Sequence, residues 1–477
     1  MVSFTCNFKR PPRAFAHYWE HTVGSGHAPL ALRADWQTQL LRCHRELGFR
    51  HVRFHGILSD DMGTLIDVED KPLYSFFNAD RIMDFLMSIG MRPFVELSFM
   101  PEMLASGRDT VFHYRGNVTP PADYAKWATL IGKLAAHWVA RYGAAEVRTW
   151  FFEVWNEPNL KAFWTGTQQD YFRLYRETAA AIKRVDPALL VGGPATADNQ
   201  WVPEFLDFCT ANKVPVDFVS THHYPTDAFG VPGSDTITQL EHTRPKVMRD
   251  EVSKVRGEAR GLPLYYTEWN ISSNPRDKLH DQPFAAALAA TIVMEAQGLT
   301  NGYSFWTFSD IFEENYFPSV PFHGGFGLLN IYGIAKPIYR AFQLLHQLGT
   351  QQLPVEGNHS TVKAWLVRED HAATILFINL AMPRHNIETE LVQITLPNAP
   401  LPRSAWIERI DDTHSNPRDI WAKMGEPEYL SVQQVEQLEA ASLLQPEAQP
   451  WTREAESLVF SVTLPPQSVA AITFEFA

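Results

Sequence analysis

Two glutamates in this chain each close a short apolar run. Thr149-Trp150-Phe151-Phe152-Glu153-Val154-Trp155-Asn156-Glu157-Pro158-Asn159 rises as an aromatic stretch and stops at a polar Asn-Glu-Pro. Leu264-Tyr265-Tyr266-Thr267-Glu268-Trp269-Asn270 has the same build and ends in one glutamate. A parallel strand buried on both faces reads as a nearly unbroken apolar run, so the chemistry belongs where the chain leaves the sheet. Two carboxylates on the ends of different strands are what glycosidic bond cleavage requires. In double displacement Glu268 attacks the anomeric carbon, while Glu157 protonates the leaving oxygen and later activates water. The two jobs need different pKa values and therefore different surroundings. Trp155 and Pro158 offer Glu157 an apolar setting, and Tyr266 or Tyr303 offers Glu268 a hydrogen bond that keeps it charged. A lone glutamate after a strand is most simply a salt bridge at a sheet edge. Two of them, one inside Asn-Glu-Pro, favour catalysis.

The elements that must position these groups alternate along the first two thirds of the chain. Strand candidates are Phe15–Trp19, His51–His55, Pro93–Leu97, Trp150–Trp155, Leu190–Gly193, Phe218–His222, Leu264–Thr267 and Tyr303–Trp306. Amphipathic segments lie between them. The clearest runs from Pro121 to Tyr142, with Tyr124, Trp127, Ile131, Leu134 and Trp138 on one helical face. Asp35 opens a helix that Gly48 closes, Asn78 opens one that Gly90 ends, and a final helix spans Lys336 to Leu348. Eight strand–helix units over about 335 residues predict a (β/α)8 TIM barrel over 14–349, its length raised by rim loops. A doubly wound open sheet would want a phosphate-binding glycine loop after its first strand, and none is present. Gly324-Gly325-Phe326-Gly327 lies outside that context and reads as a turn.

From residue 350 to 477 the runs become short, β-branched and punctuated by Pro, Asn and Asp. They predict a C-terminal antiparallel β-sandwich, to which Val2-Ser3-Phe4-Thr5-Cys6-Asn7-Phe8 adds a strand. Ser431 to Leu444 reads as one inserted helix, with Ser431 as its cap. A length of 477 residues exceeds one ordinary core, in keeping with two domains.

The net charge of −13 argues against nucleic acid as a partner. Three widely spaced cysteines, Cys6, Cys43 and Cys209, suit reduced thiols better than a disulfide framework. No apolar run has the length of a membrane span, and Met1 to Pro12 has no apolar signal core. The expectation is a soluble cytoplasmic protein with a small-molecule substrate, its oligomeric state left open. No cofactor is implied. No metal is expected either: His222 and His223 are adjacent, so their side chains seldom converge, and His17 and His21 flank the first strand without a ligand pattern.

Phe-Glu-Val-Trp-Asn-Glu-Pro-Asn followed by Tyr-Tyr-Thr-Glu-Trp-Asn resembles the retaining barrel glycosidases with glutamates on strands four and seven. Within that clan the chain is most similar to glycoside hydrolase family 39, the β-xylosidases and α-L-iduronidases. The resemblance runs from about residue 15 to 350 and includes Arg53-Phe54-His55-Gly56, Thr221-His222-His223-Tyr224 and the stretch Phe305 to Glu314. It implies Glu157 as acid/base, Glu268 as nucleophile and Asn156 as the partner of the sugar 2-hydroxyl. It also implies that His55, His222, Tyr224 and Trp306 line the sugar subsite, that Glu313 and Glu314 grip ring hydroxyls, and that Phe112 forms an aromatic wall. Two glutamates facing the sugar repel a uronic acid, although Arg276 stands after strand seven as a counter-argument. A neutral pentose is favoured: terminal β-D-xylose of xylo-oligosaccharides, with low activity on α-L-arabinosides. The alternatives are an iduronidase-like or arabinosidase activity on the same scaffold, or a non-catalytic sugar-binding barrel.

Overall fold

The computed structural model describes residues 1–69, 71–227, 235–244, 246–314 and 316–477. Eight parallel strands close into a barrel: β1 (Thr22–His27), β2 (His51–His55), β3 (Arg92–Leu97), β4 (Phe151–Val154), β5 (Leu190–Thr196), β6 (Phe218–His222), β7 (Leu264–Trp269) and β8 (Gly302–Phe305). Each is followed by one or two helices, as in the (β/α)8 architecture. The helix Tyr124–Tyr142 begins where Asp123 accepts from the amides of Ala125 and Lys126. The helix Ala34–Leu47 ends at Gly48 in the left-handed conformation.

Seven of the eight strand expectations fall on barrel strands, and the first does not. Phe15–Trp19 is no strand; Tyr18–Glu20 is a 3-10 turn, and β1 follows at Thr22–His27. Phe15, Tyr18 and Trp19 are buried as core residues ahead of the sheet, which gave them a strand-like texture. The true strand reads Thr-Val-Gly-Ser-Gly-His, and glycine normally weakens a strand. Here close approach requires it: a Cβ on Gly26 would lie 2.8 Å from Phe312, and one on Gly24 would run into the Trp306 ring.

The barrel is filled in layers. Its floor is aromatic: Phe94, Phe151 and Phe218 pack together with Tyr265, and the Phe94 and Phe151 rings stack in parallel at 4.9 Å. One layer up, Glu96 on β3 and Glu153 on β4 are neighbours in register, and Arg53 reaches them from β2. At the C-terminal ends the pairing slips between β1 and β2, β5 and β6, β6 and β7, and β7 and β8. Such bulges re-aim side chains beside active sites.

The strands after residue 350 form two packed sheets. A seven-stranded sheet contains Val362–Arg368, Ala372–Asn379, Ser404–Ile410 and Ser468–Glu475, and a four-stranded sheet contains Glu390–Pro397 and Ser457–Leu464. Phe4, Phe377, Ile394, Phe460 and Ile472 lie in the core between them. Val2–Thr5 pairs in parallel with Glu390–Pro397, and Arg13–Ala14 pairs with Gln351 and Gln352. The inserted helix runs Val432–Ser442 with Ser431 as its cap, in a capping box with Gln434. Pro283–Glu295, the helix after β7, is apolar on every side because it packs against both the barrel and the sandwich sheet.

Candidate active site

Glu157 follows β4 and Glu268 lies in β7, so both reach the C-terminal rim. The chain leaves β4 through two non-glycine residues at positive φ, Trp155 at 71° and Glu157 at 43°. This region is uncommon for residues with a Cβ and persists only when the surroundings enforce it. Trp155 Nε1 donates to Phe163 O at 2.9 Å, and the Glu157 amide donates to Ala195 O at 2.8 Å. These bonds turn the Glu157 carboxyl into the barrel mouth.

One oxygen of Glu157, one of Glu268 and one nitrogen of His222 lie within 4.8 Å of one another. Oxygens this close suit the carboxyl separation of about 5–5.5 Å that direct covalent capture needs better than the wider gap that admits a water between the carboxyls. The trio has the spacing of metal ligands, but an ion there would occupy the lone pairs of both carboxyls and displace the proton that Glu157 needs to act as an acid.

The two carboxyls are buried to similar degrees yet differently partnered. Arg53 Nη1 donates to Glu268 Oε1 at 2.8 Å, and the Tyr224 hydroxyl donates to Oε2 at 3.0 Å. Burial raises the Glu268 pKa above its usual range, opposed by the Arg53 guanidinium. Among the described residues no guanidinium bonds Glu157, and burial pushes it up to about 7 despite the more distant His55 and Arg53. Burial lowers His222 to about 4, so its ring is neutral.

The hydrogen bonds around His222 fix its tautomer. Thr267 spends its only hydroxyl proton on Glu153 Oε1 at 2.7 Å, because a carboxylate can only accept. Its oxygen therefore accepts from His222 Nε2–H at 3.1 Å. That leaves His222 Nδ1 as a bare acceptor, 2.9 Å from Glu157 Oε1. An acceptor at that position favours the protonated carboxyl of Glu157.

The remaining residues singled out from the sequence gather around this pair. Asn156 accepts from Arg53 Nη2 at 2.9 Å, which orients its amide and makes the NH2 the half that can donate. His55 is buried between Glu96 at 2.7 Å and Glu314 at 3.4 Å. Burial opposes its charge, but these carboxylates push it up to about 10. Its ring lies 4.7 Å from that of Trp306 and is stacked at 6.4 Å with Phe112. Glu313 reaches His27 Nδ1 at 3.3 Å. All ten residues thus belong to one mouth of the barrel.

Two expectations fail. Tyr266 donates to Asn199 Oδ1 at 2.8 Å, and Tyr303 stacks on Trp269 at 4.5 Å, so neither touches Glu268. The bulge on β7 explains this. Between Tyr266 and Glu268 the partner strand advances only from Thr221 to His222. Alternation breaks there, so Thr267 and Glu268 both face inward while Tyr266 turns away. Arg53, Glu96, Glu153 and Thr267 take roles here that no motif assigned to them. Their signal was available: Lys, Arg, Glu and Asp are almost never fully buried unless paired, and three charged residues interrupt the apolar strands β2, β3 and β4.

A closed barrel carrying two unequal, closely spaced carboxyls at its C-terminal rim defines a glycoside hydrolase. The chain belongs to glycosyl hydrolases family 39, whose sequence profile matches residues 3–456. A beta-xylosidase of Caldicellulosiruptor saccharolyticus is 47% identical over 486 residues, covering 100% of this chain and 99% of that protein. A beta-xylosidase of Geobacillus stearothermophilus is 40% identical, covering 97% and 93%. Among solved structures, a monomeric beta-xylosidase from Caulobacter crescentus CB15 superposes with a TM-score of 0.89 at 33% identity, each chain covered completely.

Proposed function

We propose that this enzyme is a retaining β-D-xylosidase that removes terminal xylose from short xylo-oligosaccharides, with Glu268 as nucleophile and Glu157 as acid/base. The carrying observation is the pair of carboxyls within 4.8 Å, one bonded by Arg53 and the other facing a bare imidazole nitrogen.

In the first step a Glu268 oxygen bonds to the anomeric carbon while Glu157 gives its proton to the glycosidic oxygen. The carbon–oxygen bond breaks, the shortened saccharide leaves, and a xylosyl ester remains on Glu268. In the second step Glu157, now a carboxylate, takes a proton from water as that oxygen attacks the same carbon. The ester bond breaks, β-xylose departs, and both glutamates return to their starting states. Arg53 and Tyr224 hold Glu268 charged and aimed, and Asn156 is placed to donate to the 2-hydroxyl. Glu313 and Glu314, held by His27 and His55, suit ring hydroxyls and repel a uronate carboxylate. The names and identities of the two curated relatives support xylose as the sugar.

NMR of the first sugar released from an aryl β-D-xyloside tests substrate, reaction and stereochemistry together. The β-anomer is expected before mutarotation. An initial α-product, or hydrolysis of an aryl iduronide but not of the xyloside, overturns the reading.

A further inference from the structure

At the opposite end of the barrel a second cluster of titratable side chains takes no part in this chemistry. Glu20 closes the 3-10 turn before β1, and its Oε1 lies 2.7 Å from both His17 Nδ1 and His346 Nδ1. His346 is the last residue of the helix Pro337–His346 that follows β8. The three ligand atoms fall within 4.8 Å of one another. Glu20 is buried, whereas the His346 side chain is 36% exposed, so the cluster opens to water on one side.

A neutral His17 ring cannot donate at both of its nitrogens. Its Nε2 lies 3.3 Å from the carbonyl oxygen of Gly349, which can only accept. A proton on Nε2 satisfies that carbonyl but leaves the bare Nδ1 lone pair facing a carboxylate oxygen. A proton on Nδ1 satisfies Glu20 but sets two acceptors against each other at Gly349. Either a second proton or a metal ion on Nδ1 removes the conflict, and the ion requires His17 and Glu20 to part slightly from their 2.7 Å contact. An imidazole that binds a metal through one nitrogen while donating its other N–H to a backbone carbonyl is the usual arrangement at metal sites. The remaining contacts hold the ligands in place: His17 stacks on Trp19 at 4.6 Å, and Gly48 closes the far side. A Cβ on Gly48 would lie 2.6 Å from the His346 ring and 2.8 Å from Glu20 Cδ.

We propose that His17, Glu20 and His346 form a zinc site that ties the segment entering the barrel to the helix leaving it. Two imidazole nitrogens and a carboxylate oxygen suit a borderline divalent ion, with water as the fourth ligand. The site is structural, because the aromatic floor separates it from the substrate.

The test uses the full-length enzyme without a histidine tag, stripped with chelator and equilibrated with zinc chloride at about pH 7.5. One equivalent should bind, and the unfolding midpoint should rise by about 3 °C at 100-fold excess over Kd. Aryl xyloside turnover should stay unchanged. Affinity should fall by more than about tenfold in His17→Ala, His346→Ala and Glu20→Gln, with ligand-field absorption of the cobalt(II) form lost in parallel. No stoichiometric uptake would mean that second protons on the imidazoles suffice, and the proposal fails. It fails equally if uptake survives in all three variants, or if zinc inhibits hydrolysis and is lost in Glu157→Gln, which would put the ion among the catalytic groups.

Discussion

At the C-terminal rim one imidazole, His222, stands beside two carboxyls; at the other end one carboxylate, Glu20, stands between two imidazoles. The rim cluster is buried apart from slight exposure of its two carboxyls at the barrel mouth, and it carries its own fixed cation, Arg53, bonded to Glu268, Glu153 and Asn156. Among the described residues Glu20 pairs with no lysine or arginine. The same side-chain types therefore behave differently. With a permanent guanidinium in place, the protons left over are distributed by hydrogen-bond direction, and the carboxyl without the guanidinium keeps one. Without it, the charge of Glu20 is left to be balanced by its two imidazoles or by the proposed ion. Between the two lies the floor of Phe94, Phe151, Phe218 and Tyr265, which adds burial and no titratable carboxyl.

Variants at the rim should change rate and leave stability nearly intact, while variants in the floor should do the reverse. The largest effect is expected for Glu268→Gln, with kcat on an aryl xyloside falling by about 10⁴-fold or more. Glu157→Gln should lower kcat by about 10²–10⁴-fold; near-normal turnover in either variant would remove the distinction drawn for the rim. Phe151→Ala should cost about 3–5 kcal/mol in denaturant unfolding, with kcat per folded molecule close to normal. A collapse in kcat without a change in stability would make the floor part of the chemistry.

The pH profile gives smaller effects. Glu157 must be protonated to act as acid, so kcat/KM should fall as pH rises through about 7, and Glu157→Gln should lose that limb. Glu268 must be charged to attack, so kcat/KM should also fall as pH drops through its raised pKa. Thr267→Val removes the oxygen that accepts from His222 Nε2–H and frees the ring to donate from Nδ1 to a Glu157 carboxylate. The alkaline limb should then move down by about one pH unit; an unmoved limb would show that the tautomer does not set the state of the acid.

The barrel was legible because parallel strands covered on both faces must be apolar, and seven of its strands obey that. The exception, β1, is written in glycine because Trp306 and Phe312 press against its backbone, a demand made by a segment some 280 residues away. Glu157 and Glu268 were legible as polar ends of apolar runs. Arg53, Glu96 and Glu153 stood out as charges inside apolar strands, but their roles did not, because a buried charge makes sense only once its partners are known. Tyr266 misled for a related reason: alternation places it with Glu268, and a bulge reverses it. The meeting of Glu20 with His346 spans 326 positions, and no local pattern announces it.

The pairing of Val2–Thr5 with Glu390–Pro397 bears on how the molecule is made. A ribosome releases the first segment long before the second, so the opening strand waits through synthesis of the whole barrel for its neighbour. Its alternating Val2 and Phe4 stay unsheltered in the meantime, open to mispairing with another nascent chain. Assembly of this sheet is necessarily a late event, and a bulky fusion ahead of Val2 would burden that last step before it touched the barrel.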